Sequence, residues 1–327
     1  MMQTMVVPLL PDLPERLDAD LSDTSWALTV TLLVGAVNTP LSGRLADMYG
    51  KRRVIFAGLA WVVVGCVVGA LSNELAPFLV GRGLQGLGLG TIPLGTSIIA
   101  DIVPAERLPA AIGAMSGSMG IGNALGLPFG AFLAHTFDWH VLFVVSGVLA
   151  TVAMVAIALT VPRAGQPPPG GRFDVVGAIG LLAVLVSLLI PLSKAAQWDR
   201  WVIPFVVAFV VLTPAWVWYE LRSPEPLIDL RSAAYRPVML TNLASIAVGF
   251  SFYGLNMIAV QLLMAPPPEI GSAAHSMVQT GLILVPIGLM MLTSSTVGAR
   301  LNEAIGPPRA LAVGIVLLSC AFATLLV

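Results

Sequence analysis

Charge is scarce in this chain of 327 residues: Lys, Arg, Asp and Glu supply only 10% of it, against 57% hydrophobic residues, and its mean hydropathy is +0.93. An ordinary soluble domain carries roughly 25% charged residues, so a water-facing surface cannot be assembled from this supply. A basic excess is also missing. The formal net charge of −1 argues against nucleic acid as a partner, because such binders concentrate a positive field on one face. Cysteine is nearly absent: Cys66 and Cys320 each sit inside an apolar run, without the paired spacing of a metal site or a disulfide framework. The histidines, His135, His140 and His275, show no ligand spacing, and no Ser/His/acid cluster falls within one loop. No GxxxxGKS/T loop is present, which speaks against an ATP-driven pump. These gaps point away from an enzyme and from any cofactor or metal. The first residues, MMQTMVVPLLPDLPERL, lack the basic flank and small-residue cleavage site of a signal peptide.

Long apolar runs are what the chain has instead. A spanning helix needs about 20 mostly apolar residues, and ten segments qualify: 26–46, 54–72, 77–100, 109–134, 140–161, 174–193, 201–220, 238–264, 275–299 and 309 to the end. None alternates with period two as barrel strands do, so the expected fold class is all-α integral membrane, with the lipid bilayer as solvent. Loop charge gives the orientation, since cytoplasmic loops collect Lys and Arg. One set of alternate helix ends holds Arg44, Lys51, Arg52, Arg53, Arg107, Arg163, Arg172, Arg222, Arg231, Arg236, Arg300 and Arg309, while the other holds Arg16, Lys194 and Arg200. The turn carrying Lys51 to Arg53 is therefore predicted to be cytoplasmic, and the acid-rich stretch 12–23 to lie outside.

Residues 162–173, PRAGQPPPGGRF, form a Pro/Gly break too polar to span. The expected organisation is a six-helix bundle over 1–161 with its first helix partial, a linker plus two central helices over 162–236, and about three helices of a second bundle over 237–327. An internal echo supports duplication. SGRLADMYGKRR (42–53) aligns with GARLNEAIGPPR (298–309) at a constant offset of 256, pairing Arg44 with Arg300, Asp47 with Glu303, Gly50 with Gly306 and Arg53 with Arg309.

Several residues stand out physically. Arg82 is the one charged side chain placed clearly inside a span, roughly 7.5 Å from the outer start of its helix. Burying it costs several kcal/mol unless it finds water or a partner; the alternative is snorkelling to the outer surface. Gln85 lies three positions on, nearly on the same face, so the two form a polar stripe suited to a central cavity. GRGLQG (81–86) also matches a dinucleotide fingerprint, but inside an apolar run it lacks the strand-to-helix setting that gives that pattern meaning. In 42–53, Gly43 and Gly50 permit close packing and a tight turn, Lys51, Arg52 and Arg53 hold the turn inside, and Asp47 is suited to cap the N-terminus of a helix in the opposite half, with Glu303 as its mirror. Gly122, Gly126 and Gly130 repeat the GxxxG spacing that lets helices approach, and Pro128 removes a backbone donor. Asn38, Asn123 and Asn256 are uncharged polar residues within spans, either contacts for a substrate or hydrogen bonds between helices.

GRLADMYGKRRV (43–54) resembles the loop signature of the major facilitator superfamily. RGLQGLGLG (82–90) resembles its fourth-helix pattern, and GIGNALGLPFGA (120–131) the fifth-helix pattern of exporters, from which Gly126-Leu127-Pro128 and Gly130-Ala131 depart by a shifted proline and a replaced glycine. The resemblance implies a two-bundle fold with a midplane site, a proton-coupling role for Arg82, and a cytoplasmic latch at Asp47 that holds an outward-open state. The two central helices resemble the extra pair of the fourteen-helix drug:proton antiporter branch. On that pattern the second bundle is incomplete, the chain stops in the eleventh helix, and the first helix is shortened, with Met2 where the branch carries an acid. The expected activity is proton-coupled efflux of small hydrophobic or amphipathic molecules across the cell membrane, with the substrate and protons as partners. A truncated, non-transporting remnant or scaffold is the competing expectation.

Overall fold

The computed structural model describes residues 2–10, 12–162, 173–193, 200–264 and 277–323. Among them the regular elements are helices and no strand occurs. In hydrocarbon an unpaired backbone group costs several kcal/mol, and a helix satisfies all of its own within one segment. The long helices are α1 (Trp26–Tyr49), α2 (Lys51–Leu71), α3 (Leu75–Gly86), α4 (Thr91–Ile102), α5 (Leu108–Thr136), α6 (Val141–Thr160), α7 (Val175–Ser193), α8 (Ile203–Arg222), α9 (Arg236–Met264), α10 (Met277–Ile305) and α11 (Pro307–Ala323). Within the described residues each of the ten sequence-predicted spans falls on helix. Five stretches there are both long and apolar enough to cross a membrane: Trp26–Tyr49, Lys51–Leu71, Val141–Thr160, Val175–Leu192 and Arg200–Arg222. Most of the Pro/Gly linker at 162–173 lies outside the described residues.

One span departs from expectation. The run 77–100 is predicted as a single helix, but a 3-10 turn at Leu87–Gly90 separates α3 from α4. The cause is local. Pro93 has no N–H to offer the carbonyl of Leu89, and Gly86, Gly88 and Gly90 hold helical geometry weakly. Thr91 Oγ1 closes the gap by donating to the Gly88 carbonyl at 2.6 Å.

The chain divides into two compact units. One comprises Leu9–Ile98 and Leu133–Val238. In it α2 packs against α1, α3 and α6, while α7 and α8 pair with each other and α7 also lies on α1. Near the α1–α2 turn, Ala46, Ile55, Leu94 and Ile98 form a buried cluster flanked by Val54, Leu59, Ile157 and Val161. Elsewhere in the unit Phe78 meets Trp139 and Phe143 edge to face, with ring centroids 5.7 and 5.6 Å apart. Beside them His140 contacts Asp138 and, through Nε2, the Ser72 carbonyl at 3.0 Å. The His140 backbone N–H, and then its side chain, hold the Asp138 carboxyl below the usual carboxylate range.

The other unit comprises Met1–Pro8, Ile99–Phe132 and Met239–Val327. There Gly130 of α5 accepts the backbone of Met5 so closely that an added Cβ would stand 2.6 Å from the Met5 carbonyl oxygen. α10 and α11 follow each other across a single residue, Gly306. Across both units large apolar side chains such as Leu71, Leu159, Val210 and Phe250 are exposed. A water-soluble protein does not carry apolar surface on this scale, and lipid is the solvent that accepts it.

Glycine sets the tightest helix contacts. A Cβ on Gly65 of α2 would lie 2.6 Å from the Gly81 carbonyl oxygen and 2.8 Å from the Gln85 nitrogen of α3, whereas one on Gly43 would meet nothing within 4 Å. Gly65→Ala must push α3 away, an overpacking cost of about 1–3 kcal/mol, while Gly43→Ala should gain about 0.5–1 kcal/mol of helix propensity. Thermal unfolding in detergent is expected to shift down for the first variant and to stay level or rise for the second.

Candidate functional site

Backbone-to-backbone contacts among α1, α2 and α3 leave room for one long polar side chain. Phe78, Gly81, Arg82, Gln85 and Gly86 are the buried positions of α3, and their spacing of three and four residues puts them along one side of the helix. A Cβ on Gly86 would stand 2.6 Å from the Thr31 carbonyl oxygen of α1. Between these contacts lies the guanidinium of Arg82, which is 0% exposed, as is Gln85. Snorkelling is therefore excluded. Arg82 Nε donates to the Ala27 carbonyl at 2.9 Å and Nη1 to Gln85 Oε1 at 2.5 Å. Gln85 Nε2 in turn donates to Cys66 Sγ at 3.3 Å. Thr31 Oγ1 ties the backbone in, donating to the carbonyls of Arg82 at 3.0 Å and Ala27 at 3.3 Å.

No carboxylate within the described residues forms an ion pair with Arg82. Its Nη2 is buried without a hydrogen-bond partner. Carbonyl and amide dipoles carry the charge, and both N–H donors of Nη2 are left over. An unpaired buried charge is expensive.

Immediately beyond it, the 3-10 turn is gripped by α1. Asn38 Nδ2 donates to the Leu87 carbonyl at 2.6 Å, and Ser42 Oγ donates to the Asn38 carbonyl at 2.6 Å. Asn38 thus makes the helix-to-helix bond that was one of its two expected roles. It also lines a small cavity of ≈ 110 Å³ with Ser42, Gly58, Trp61, Thr91 and Leu94. Asn123 is exposed on α5. The side chains of Asn256 and Glu303 lie outside the described set.

The α1–α2 turn has its own geometry. Gly50 adopts φ +94°, and the two helices meet there with a single residue between them. Its N–H donates to the Ala46 carbonyl at 2.8 Å, and its carbonyl accepts from Val54 N–H at 3.3 Å. The α10–α11 turn repeats the arrangement 256 positions on: Gly306 has φ +81°, its N–H donates to Asn302 at 3.0 Å and its carbonyl accepts from Ala310 at 3.1 Å. Gly50 and Gly306 are the positive-φ glycines among the described residues.

The cations around the first turn do more than obey a topology rule. Lys51 and Arg52 open α2, where its own positive end does not favour them. Each reaches to a neighbouring helix: Lys51 Nζ donates to the Ser97 carbonyl within α4 at 3.5 Å, and Arg52 Nη2 to the Ala158 carbonyl in the last turn of α6 at 2.9 Å. The Ala158 carbonyl is one of the orphans at the negative end of α6, which rewards the Arg52 contact. Arg52 also lies over the Phe56 ring, 5.3 Å from its centroid. Arg44 pairs with Glu225 at 3.1 Å. Asp47 and Arg53 are exposed, as are Arg300 and Arg309. In α5, Gly126, Pro128 and Gly130 are buried and Gly122 half-buried.

The model of a known family, described as Major Facilitator Superfamily, matches residues 1–327. The chain belongs to the Major Facilitator Superfamily. Among its relatives, MFS-type transporter YvkA of Bacillus subtilis is 27% identical over 92% of this chain and 66% of its own length. The tetracenomycin C resistance and export protein of Streptomyces glaucescens is 29% identical over 96% of this chain and 58% of its own length. Multidrug transporter protein MdtP of B. subtilis is 25% identical over 88% and 52%. The chain thus spans about half to two-thirds of the length of these relatives. As a member of the superfamily it is an integral membrane protein of the transporter class, not an enzyme.

What sequence reading missed at this site is the 3-10 turn and the Arg44–Glu225 pair. The glycines and Pro93 announced the first, and nothing local announced the second. The two Gly turns make a direct prediction. Positive φ costs a side chain about 1–2 kcal/mol, so Gly50→Ala and Gly306→Ala should each lower the unfolding temperature although neither Cβ would touch a neighbour. Gly50→Asn should recover part of the loss, because Asn tolerates positive φ.

Proposed function

We propose that this Major Facilitator Superfamily chain takes part in proton-coupled efflux of small hydrophobic or amphipathic molecules across the cell membrane by alternating access. The observation that carries the reading is Arg82, buried completely, held by neutral acceptors and left with Nη2 unpartnered. A guanidinium so placed favours a transient anionic partner, such as a carboxylate that alternates between protonated and ionised forms, and Gln85 fixes its orientation. The tetracenomycin C export protein and MdtP among the relatives support efflux, and the apolar make-up of the helices suits poorly hydrated substrates. Asn38, Asn123 and Asn256 are the polar residues in this reading that contribute to a substrate path. The antiporter branch with fourteen helices accounts for α7 and α8 as a central pair after a first bundle over 1–161, with a second bundle opening at 237.

In proteoliposomes with an imposed pH gradient, a fluorescent amphipathic dye should move with the parent chain and not with Arg82→Ala, while both insert equally. Dye movement in Arg82→Ala at the parental rate sinks the coupling role.

The α1–α2 turn is the proposed gate. Asp47 is exposed beside Gly50 and caps a helix end of the opposite half when the transporter opens outward, with Glu303 as its counterpart. With Cys320→Ser removing the exposed native thiol, a reporter introduced by Glu74→Cys should be labelled more slowly by an impermeant maleimide in Asp47→Asn. Equal labelling rules the latch out.

A further inference from the structure

The central pair α7 and α8 carries a second buried polar site that the reading of Arg82 does not use. Its members are Asp174, just ahead of α7, and Glu220, in the last turn of α8. Glu220 is 2% exposed. Its Oε1 accepts the Ile228 N–H at 2.6 Å, and its Oε2 is buried with no hydrogen-bond partner. Asp174 Oδ1 accepts the Gly177 N–H at 2.8 Å and the Tyr219 hydroxyl at 2.9 Å. Its Oδ2 accepts one long bond, from Ser223 Oγ at 3.3 Å.

The two carboxyls meet over Gly177. A Cβ there would stand 2.6 Å from Asp174 Oδ2 and 2.9 Å from Glu220 Oε2. The missing side chain is the space in which they approach. The oxygens that line this space are the unpartnered one of Glu220 and the poorly served one of Asp174.

Two carboxylates that line one small space, with Glu220 buried, cannot both stay ionised at low cost. The surroundings offer no rescue among the described residues. On α8, Tyr219 is committed to Asp174, and Arg222 lies over the Trp218 ring at 4.2 Å from its centroid. In the following segment Glu225 is paired with Arg44 of α1, Asp229 accepts from Arg231 N and Ser232, and Arg231 Nη2 donates to the Leu221 carbonyl at 3.1 Å. Among the described residues no cation reaches the pair.

We propose that Asp174 and Glu220 form a proton-binding site that holds one proton between Glu220 Oε2 and Asp174 Oδ2. A proton taken from water forms an O–H bond at Glu220 Oε2, which donates to Asp174 Oδ2 and supplies what each oxygen lacks. When it leaves, the pair carries two negative charges and Glu220 is driven toward water. Ile228 moves with it, and with Ile228 the segment that ties α8 to Arg44. The ligand is the proton alone, held between the two carboxyls. This site is independent of efflux, because its test reads the carboxyl and not transport.

Infrared spectra of the full chain reconstituted in lipid decide it. At neutral pH the difference between parent and Glu220→Gln should contain the carbonyl stretch of one protonated carboxyl that shifts in D2O and disappears as pH is raised. Asp174→Asn, whose amide can donate to an ionised Glu220, should lose the same band. Carboxylate bands alone in the parent-minus-Gln difference overturn the proposal, as does a band that survives in Asp174→Asn. Should Glu220→Gln fail to fold, the parent decides: absence of any protonated carboxyl at neutral pH overturns the site, and its alkaline loss together with its absence from Asp174→Asn upholds it.

Discussion

Hydrocarbon supplies no hydrogen bonds, and every polar group in this bundle has to find its partner within the protein. That constraint accounts for the helices, and it also accounts for what occurs where a helix fails. At Leu87–Gly90 the ladder is interrupted, and the freed carbonyls are met by the Asn38 amide and the Thr91 hydroxyl. Beside Gly50, the carbonyl of Ala158 at the end of α6 is met by Arg52, and that of Ser97 within α4 by Lys51. Arg82 follows the same rule in reverse, as a donor fed by carbonyl and amide oxygens. Polar side chains in this protein stand where backbone geometry or burial leaves a debt.

Glycine makes those meetings possible. Gly65, Gly81 and Gly86 bring α1, α2 and α3 together closely enough that Arg82 is sealed from solvent. Gly177 does the same for Asp174 and Glu220 on the central pair. In both places a small residue creates an enclosed volume and a charged side chain occupies it. Association of helices in lipid relies on close packing, because lipid tails are as apolar as the helix surface. The charges therefore sit where the packing is tightest.

Much of this was legible in the residues. The apolar runs located the helices, and the offset of 256 anticipated two turns that share a positive-φ glycine and the same pair of backbone bonds. Arg82 and Gln85 were legible as one polar face because their spacing is a helical property. Other features were not, for reasons of distance in sequence. Arg44 and Glu225 lie 181 positions apart, and only the packing of α7 on α1, with α8 paired to α7, brings that segment near the turn. Asp174 and Glu220 each sit at the edge of an apolar run, where nothing in the local pattern sets them apart. Their pairing depends on a glycine that looks like any other. The break in the 77–100 run was written in Pro93 and three glycines, but uniform hydropathy concealed it.

The single-residue joints at Gly50 and Gly306 have a mechanical consequence. A long connection between two helices absorbs motion as slack; a joint of one residue, bonded on both sides, transmits it. Tilting α1 has to swing α2, and because Lys51 holds α4 at Ser97 and Arg52 holds the end of α6, the swing is shared by the neighbours at once. The turn works as a crank pin, converting the displacement of one rod into the displacement of several.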